Sequence, residues 1–351
     1  MEKHEYLAKK METIEVKRRS ISELLTAMAQ TGFQGRSLAD AYAVLRDMIA
    51  EKDNTIFLGL AGSMSTTGQW KIVKWLIENR YVDVLVSTGA NVSEDLIEGL
   101  GFSYYQGSAT ADDGDLLAHQ IDRYHDVYVD EMQYRQLEAF IGAFMATLDG
   151  SPPLSSAAFL RLFGKYQDER GIDSITAAAY RAGVPIFSPA LADSGYGIAA
   201  ATLYREKGIR VVLDQFADLT ALGEIGDKAT NTSVVYVGGG VPKDTIQLVT
   251  VMVDLFRGGE EVYPHKYAVQ ITTDSPQWGG LSGCTFEEAV SWGKIAEHGN
   301  RAVCYCDATI ALPILSHALV ETLDGPRQGA DLRFVFEDIA ASPRPLQDAV
   351  R

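Results

Sequence analysis

A threonine, two adjacent glutamates, a tryptophan and a lysine crowd into Thr285-Phe286-Glu287-Glu288-Ala289-Val290-Ser291-Trp292-Gly293-Lys294-Ile295. Thr285 with Glu288 three residues on has capping-box spacing, so a short helix starts here. Gly293 suits the left-handed position that ends a helix. On an unbroken helix Trp292 and Lys294 would point to nearly opposite faces, at about 100° per residue. A helix that stops at Gly293 lets the chain turn and bring both into one cleft. A lysine beside a large ring and two carboxylates is a candidate amine nucleophile, because a dry pocket frees its lone pair. The same spacing also suits a plain reading, with Glu288 as a cap, Trp292 in a core and Lys294 as a solvated cation.

Three further stretches carry small and polar residues where an open α/β sheet places ligands. They are Gly59-Leu60-Ala61-Gly62-Ser63-Met64-Ser65-Thr66-Thr67-Gly68, Ser87-Thr88-Gly89-Ala90-Asn91-Val92-Ser93-Glu94-Asp95 and Val237-Gly238-Gly239-Gly240-Val241-Pro242-Lys243. Glycines here let backbone amides approach a pyrophosphate at a helix N-terminus. None forms Gly-x-Gly-x-x-Gly, and a tight turn explains each one equally well.

The elements that must position these residues alternate from Thr55 onward. Strands are expected at Thr55–Leu60, Val82–Val86, Val184–Phe187, Val211–Leu213, Ser233–Val237, Tyr267–Ile271 and Ala302–Tyr305, with helices of about a dozen residues between most of them. That order implies a doubly wound, mostly parallel Rossmann-like α/β sheet. Unbroken apolar runs such as Val-Val-Tyr-Val suit strands buried on both faces. Residues 1–52 read as an N-terminal helical section, with Ile21, Leu24, Leu25 and Met28 at helical spacing. The α/β domain is expected over 53–323, and 324–351, richer in Pro, Arg and Asp, as a peripheral tail.

The 351 residues are 46% hydrophobic, ample for a core, and no apolar run is long enough to span a membrane. Three cysteines, Cys284, Cys304 and Cys306, suit a reducing cytoplasm. The six histidines show no ligand spacing with them, so no metal site is expected. A net charge of −16 argues against nucleic acid and is compatible with a cationic small substrate, although solubility alone also explains it.

Glu-Ala-Val-Ser-Trp-Gly-Lys-Ile resembles the segment around the catalytic lysine of the deoxyhypusine synthase family. Thr31-Gly32-Phe33-Gln34 resembles an N-terminal signature of that family, and the similarity runs in order over about residues 30 to 320. The resemblance implies NAD as cofactor. Its binding positions would be Gly62, Ser63, Ser87, Thr88, Gly89, Glu94, Asp193, Gly238, Gly240, Thr273, Asp274, Ser282, Asp307 and Ala308. Glu94 stands with Asp95 at the family's Glu-Asp positions, Asp193 ends its Pro-Ala-Leu-x-Asp run, and Cys306-Asp307-Ala308 matches its adenosine-end turn.

Departures fall at the polyamine contacts. Ile198 and Leu281 stand where the family has aspartates, Asp244 where it has a histidine, and Trp278 where an aspartate lies beside NAD. Asp244 and Asp274 are plausible substitutes, because a cationic ligand needs a paired carboxylate. The resemblance therefore implies an NAD-dependent aminobutyl transferase. Lys294, Glu288 and Trp292 would be its catalytic residues, with Asp244, Glu288 and Trp292 holding the polyamine. Spermidine is the expected donor and a free diamine such as putrescine the expected acceptor. A protein lysine, agmatine or a catalytically silent NAD-binding protein are the alternatives. The family's homotetramer, with sites at subunit interfaces, is the expected assembly.

Overall fold

The computed structural model describes residues 2–336. Nine strands follow in chain order: β1 Asn54–Leu60, β2 Val84–Ser87, β3 Tyr105–Gln106, β4 Ile121–Tyr124, β5 Val127–Asp130, β6 Ile186–Phe187, β7 Asn231–Val237, β8 His265–Ile271 and β9 Ile295–Cys304. Six of them form one parallel sheet in the order β6-β2-β1-β7-β8-β9. From β1 the chain first adds strands on one side and later, from β7, on the other. The order therefore reverses between β1 and β7, which opens a crevice at the C-terminal ends of those two strands.

Successive strand residues face opposite sides, and each side is buried. Ile56, Leu58 and Leu60 of β1 join Val235, Val237, Val269 and Ile271 under the helices Phe33–Ala50 and Ala308–Val320. Phe57, Val84, Val86, Val234 and Tyr236 meet Ile246, Val249 and Val253 of the helix Gly240–Phe256 on the other face. Gly59 is required there: a Cβ would lie 2.9 Å from the Tyr236 ring.

Two local expectations are corrected, and one element is new. Val211–Leu213 is not a sheet strand; its pairing is a single bridge, Leu154 with Leu213. An apolar triplet with two valines fits one extended bridge as well as a full ladder. Residues 7–20 are not helical between the helices Lys3–Tyr6 and Ile21–Met28. Thr13, Ile14 and Val16 are β-branched and have no apolar surface to pack on, so nothing offsets their poor helix preference. A second, antiparallel sheet, β3-β5-β4, was not expected at all. Its signal is the alternating Ile121-Asp-Arg-Tyr and Val127-Tyr-Val-Asp around a two-residue loop, with His125 at φ 53°.

The segment after Asp324 is lashed to the sheet's far end as far as 336; residues 337–351 lie outside the described residues. Asp83 is fully buried, and its carboxylate accepts the Ile56 and Ala330 N–H groups at 2.9 Å each. The Arg327 guanidinium also donates to it, and to the carbonyl of Asn54 at 2.6 Å. Breaking a buried pair leaves the other charge stranded, at about 3–5 kcal/mol. Asp83→Ala is therefore expected to destabilise the protein by about that much in urea unfolding. A loss under about 1 kcal/mol would mean that the network is dispensable.

Candidate active site

The helix Phe286–Ser291 starts as its sequence demands. The Thr285 hydroxyl accepts the Glu288 N–H at 3.1 Å, and the Glu288 carboxylate accepts the Thr285 N–H at 2.6 Å. Those bonds hold the Glu288 carboxyl below the usual range, the Thr285 N–H first and its hydroxyl next, with the Lys243 charge adding to them. Gly293 takes φ 68°, and a Cβ there would lie 2.7 Å from Val262, so both its backbone angle and its surroundings exclude a side chain. The turn then fixes Lys294 by its backbone: its N–H donates to Ala289 at 2.9 Å and its carbonyl accepts from His265 at 3.0 Å. The Lys294 Nζ lies 5.4 Å from the centroid of the Trp292 ring, within cation–π range. Lys294 is half-buried, while Trp292 is 71% exposed, so this chain alone does not enclose the pair.

The glycine-rich loops border the crevice. Gly238, at φ 70°, lies against Ala61, whose N–H donates to Val237 at 3.0 Å. Asn91 ties the first loop to the second, donating to the Gly62 carbonyl at 2.5 Å and to the Thr88 hydroxyl at 3.0 Å, while Ser65 Oγ donates to the Asn91 carbonyl at 2.6 Å. Ser63 is half-buried and Ser87 buried beside them. Gly89 lets the second loop touch the loop that carries Asp193, since a Cβ there would lie 2.5 Å from Ser194 Oγ. The helix Gly240–Phe256 has no side-chain cap, and its N-terminus opens onto this crevice. Ser282 Oγ takes the Gly240 N–H at 3.1 Å and Pro242 has none, which leaves the backbone of Gly239 and Val241 to meet a dinucleotide pyrophosphate. Asp307 caps the helix Ala308–Val320, accepting the Thr309 N–H at 2.7 Å, at the C-terminal end of β9. Asp193 and Thr273 are exposed, and Asp274 and Ser282 half-buried, on loops at the same edge.

Glu94 and Asp95 follow Ser87-Thr88-Gly89 but face inward. Asp95 accepts the Ile175 N–H at 2.6 Å and so supports the start of the helix Ile175–Ala182. Glu94 is 8% exposed inside a cage of tyrosines: Tyr124 donates to it at 3.4 Å, and the Tyr134 hydroxyl lies 2.9 Å from that of Tyr124 and 3.1 Å from that of Tyr104. Its second oxygen has no partner among the described residues. Burial pushes both carboxyls up to about 7, with Tyr124 opposing the shift at Glu94 and the Ile175 N–H opposing it at Asp95.

Thus the expected residues fall into two groups. Gly62, Ser63, Ser87, Thr88, Gly89, Gly238, Gly240, Asp307 and Ala308 lie at the C-terminal edge of the sheet. Lys294 instead precedes Ile295, which pairs with His265 at the N-terminal start of β8. A seven-residue strand separates the two edges by about 20 Å, at roughly 3.3 Å per residue. Glu288 and Trp292 lie along the helix between them. Asp244 is exposed in the second turn of Gly240–Phe256, and Ile198, Leu281 and Trp278 are exposed as well. Sequence reasoning passed over Lys243 and Gln270, both buried between the glycine turn and the Glu288 helix. The available signal was a lysine in the first turn of a helix, where the positive end of the helix disfavours a cation. No group of His, Cys, Asp and Glu that could hold a metal ion occurs among the described residues.

The sequence model of the deoxyhypusine synthase family matches residues 23–319. The chain is 46% identical to "Probable deoxyhypusine synthase 2" of Methanosarcina mazei over 319 residues, 90% of this chain and 91% of the relative. It is 47% identical to the protein of the same name from Archaeoglobus fulgidus, covering 84% of this chain and 96% of that one. A "Deoxyhypusine synthase-like protein" of Chlorobaculum parvum is 36% identical, over 90% and 91% of the two chains. Among solved structures, a chain from Entamoeba histolytica, provisionally described as a deoxyhypusine synthase, superimposes with a TM-score of 0.62 at 16% identity, over 87% of this chain and 94% of that one. That likeness speaks for the fold.

The tyrosine cage makes stability depend on pH. A carboxyl whose folded pKa is raised keeps its proton while the unfolded chain loses it, so stability falls as pH rises from about 4.5 to about 7. Each such group contributes about 1.4 kcal/mol per pH unit in that window. Glu94→Gln is expected to flatten the decline in melting temperature between pH 4.5 and 7. An unchanged pH profile would mean that Glu94 is solvated and already ionised.

Proposed function

The chain belongs to the deoxyhypusine synthase family, a family of transferases, and from that premise we propose that it is an NAD-dependent aminobutyl transferase working through an imine on Lys294. Spermidine is the donor, and the acceptor is a free diamine such as putrescine, which gives homospermidine. The observation that carries this reading is the Lys294 ammonium 5.4 Å from the Trp292 ring on the Gly293 turn, with Glu288 on the preceding helix.

The glycine turn, the Ser87-Thr88-Gly89 loop and the Asp307 turn would hold NAD, which would supply a reversible hydride acceptor, so that the overall transfer would involve no net oxidation. The Lys294 amine adds to the imine carbon of the oxidised donor, and the bond to the departing 1,3-diaminopropane breaks. The acceptor amine later displaces Lys294 from the same carbon. Trp292 packs on the butyl chain and keeps water from the imine. One oxygen of Glu288 is committed to the Thr285 N–H; the other is available to hold an ammonium or carry a proton. Asp244 supplies the anchoring charge that Ile198 and Leu281 do not.

The distance between the two edges supports a site shared by two copies in a cytoplasmic homotetramer. A partner's crevice would then meet Lys294, and the exposed Trp278, Leu281 and Trp292 would be covered. Trp278 and Leu281 also add bulk on the loop that leads to the Glu288 helix, which narrows the entrance and favours a thin diamine. The names carried by the relatives at 46% and 47% identity favour a second reading, in which the acceptor is a protein lysine.

Incubation with NAD, spermidine and putrescine is expected to release 1,3-diaminopropane and yield homospermidine on chromatography. Labelling of an initiation-factor lysine with no new polyamine would select the second reading; release of nothing would overturn both. Borohydride is expected to trap an adduct on the native enzyme and none on Lys294→Arg, because a guanidinium stays protonated. Asp244→Asn should raise KM for the amine by about 1–3 kcal/mol equivalent and leave that for NAD unchanged. Sedimentation is expected to give a tetramer, and a monomer that is fully active would sink the shared site.

A further inference from the structure

Lys243 occupies the first turn of the helix Gly240–Phe256, yet it is only 2% exposed. Its Nζ donates to Gln270 Oε1 at 3.0 Å and to the Cys284 carbonyl at 2.5 Å, with the rings of Tyr236 and Phe286 at 5.8 and 5.9 Å. It has no ion pair among the described residues. Burial, the largest effect, disfavours the charge and pulls its pKa down, and the positive end of a helix disfavours it further, while the charges of Cys284, Glu288, Asp244 and Asp274 oppose the shift from a distance. A cation kept where two effects oppose it calls for an explanation beyond filling space.

Gln270 completes the arrangement. Its amide nitrogen donates to the Gly238 carbonyl and to the Ser282 carbonyl, at 2.8 Å each. The Gly240 N–H donates to Ser282 Oγ at 3.1 Å, and a Cβ at Gly239 would lie 2.5 Å from Ser282 Cα. The glycine turn and residues 282–284 are therefore bonded into one unit. Cys284 is bonded to Thr285, the cap that holds Glu288. An unpaired buried ammonium also gains when an anion settles on the adjacent glycine turn.

We infer that Lys243 and Gln270 form a latch that makes occupation of the glycine turn and the setting of the Glu288 helix mutually dependent, so that cofactor and amine bind with positive coupling. This deepens the reading given above and rests on it. Both are positioning residues: neither reaches the crevice, and each acts through Gly238, Ser282 and Cys284. Coupling between two sites is reciprocal, so NAD tightens the amine by the same factor as the amine tightens NAD.

The test uses the Lys294→Arg protein, which forms no covalent adduct, and measures spermidine affinity by calorimetry with and without saturating NAD. NAD is expected to tighten spermidine about tenfold, within the usual range for such coupling. Gln270→Leu and Lys243→Met, each added to Lys294→Arg, are expected to reduce that factor to about one, with each ligand's separate affinity kept within about threefold. Coupling that persists in both variants, with both ligands bound, overturns the latch and leaves the functional reading standing. A parent protein that binds no NAD overturns the functional reading and the coupling together. Hydrogen exchange without ligands gives an independent measurement: amides of Ser282–Glu288 are expected to exchange faster in either variant while β7 and β8 stay protected. Unchanged exchange there overturns the latch whatever the ligands do.

Discussion

Six strands running the same way impose the polarity on which everything else depends. A parallel sheet collects the loops after its strands along one edge, and the reversal of order between β1 and β7 separates two of those loops enough to admit a ligand. The loops then need little chemistry of their own. Asn91 bonds one to the next, Gly89 and Gly239 allow backbone to touch backbone, and the helix after β7 starts on this edge without a cap from its N-cap residue. Both faces of the sheet are sealed by apolar layers, so the remaining freedom lies at the edges.

The lysine does not share that edge. Its position follows from the brevity of the helix Phe286–Ser291, which ends at a glycine after under two turns and delivers Lys294 to the start of β9. Two backbone bonds fix where the side chain departs, while its ammonium rests over an indole that faces solvent. Rigid backbone and an open side chain are what a contact surface requires if a second molecule is to complete the enclosure. The tyrosine cage at Glu94 is the converse, a carboxyl that the chain encloses by itself.

Much of this was readable from residue order, because the decisive signals are local. The capping box at Thr285 and Glu288 and the left-handed Gly293 behave as their spacing demands, and the runs around Ile56, Val84 and Val234 are strands because only a doubly covered strand tolerates unbroken apolar sequence. What escaped is what depends on distant neighbours. Val211–Leu213 has strand composition but only one partner, Leu154. The tyrosines 104, 124 and 134 are spread over three elements and meet only after the small sheet folds. Lys243 reads as a surface residue until Gln270 and the Cys284 carbonyl close over it. The separation of Lys294 from the glycine loops is likewise a property of strand direction, which residue spacing does not encode.

The uneven burial of the tryptophans gives the molecule a built-in optical partition. Trp70 is 2% exposed inside the core, whereas Trp278 and Trp292, at 76% and 71%, lie on the segment that runs from β8 to the lysine. Exposed indoles emit to the red of buried ones and are reached by dissolved quenchers. The long-wavelength part of this protein's emission therefore originates from Trp278 and Trp292, and its blue shift would time the covering of that segment while the core signal stays fixed.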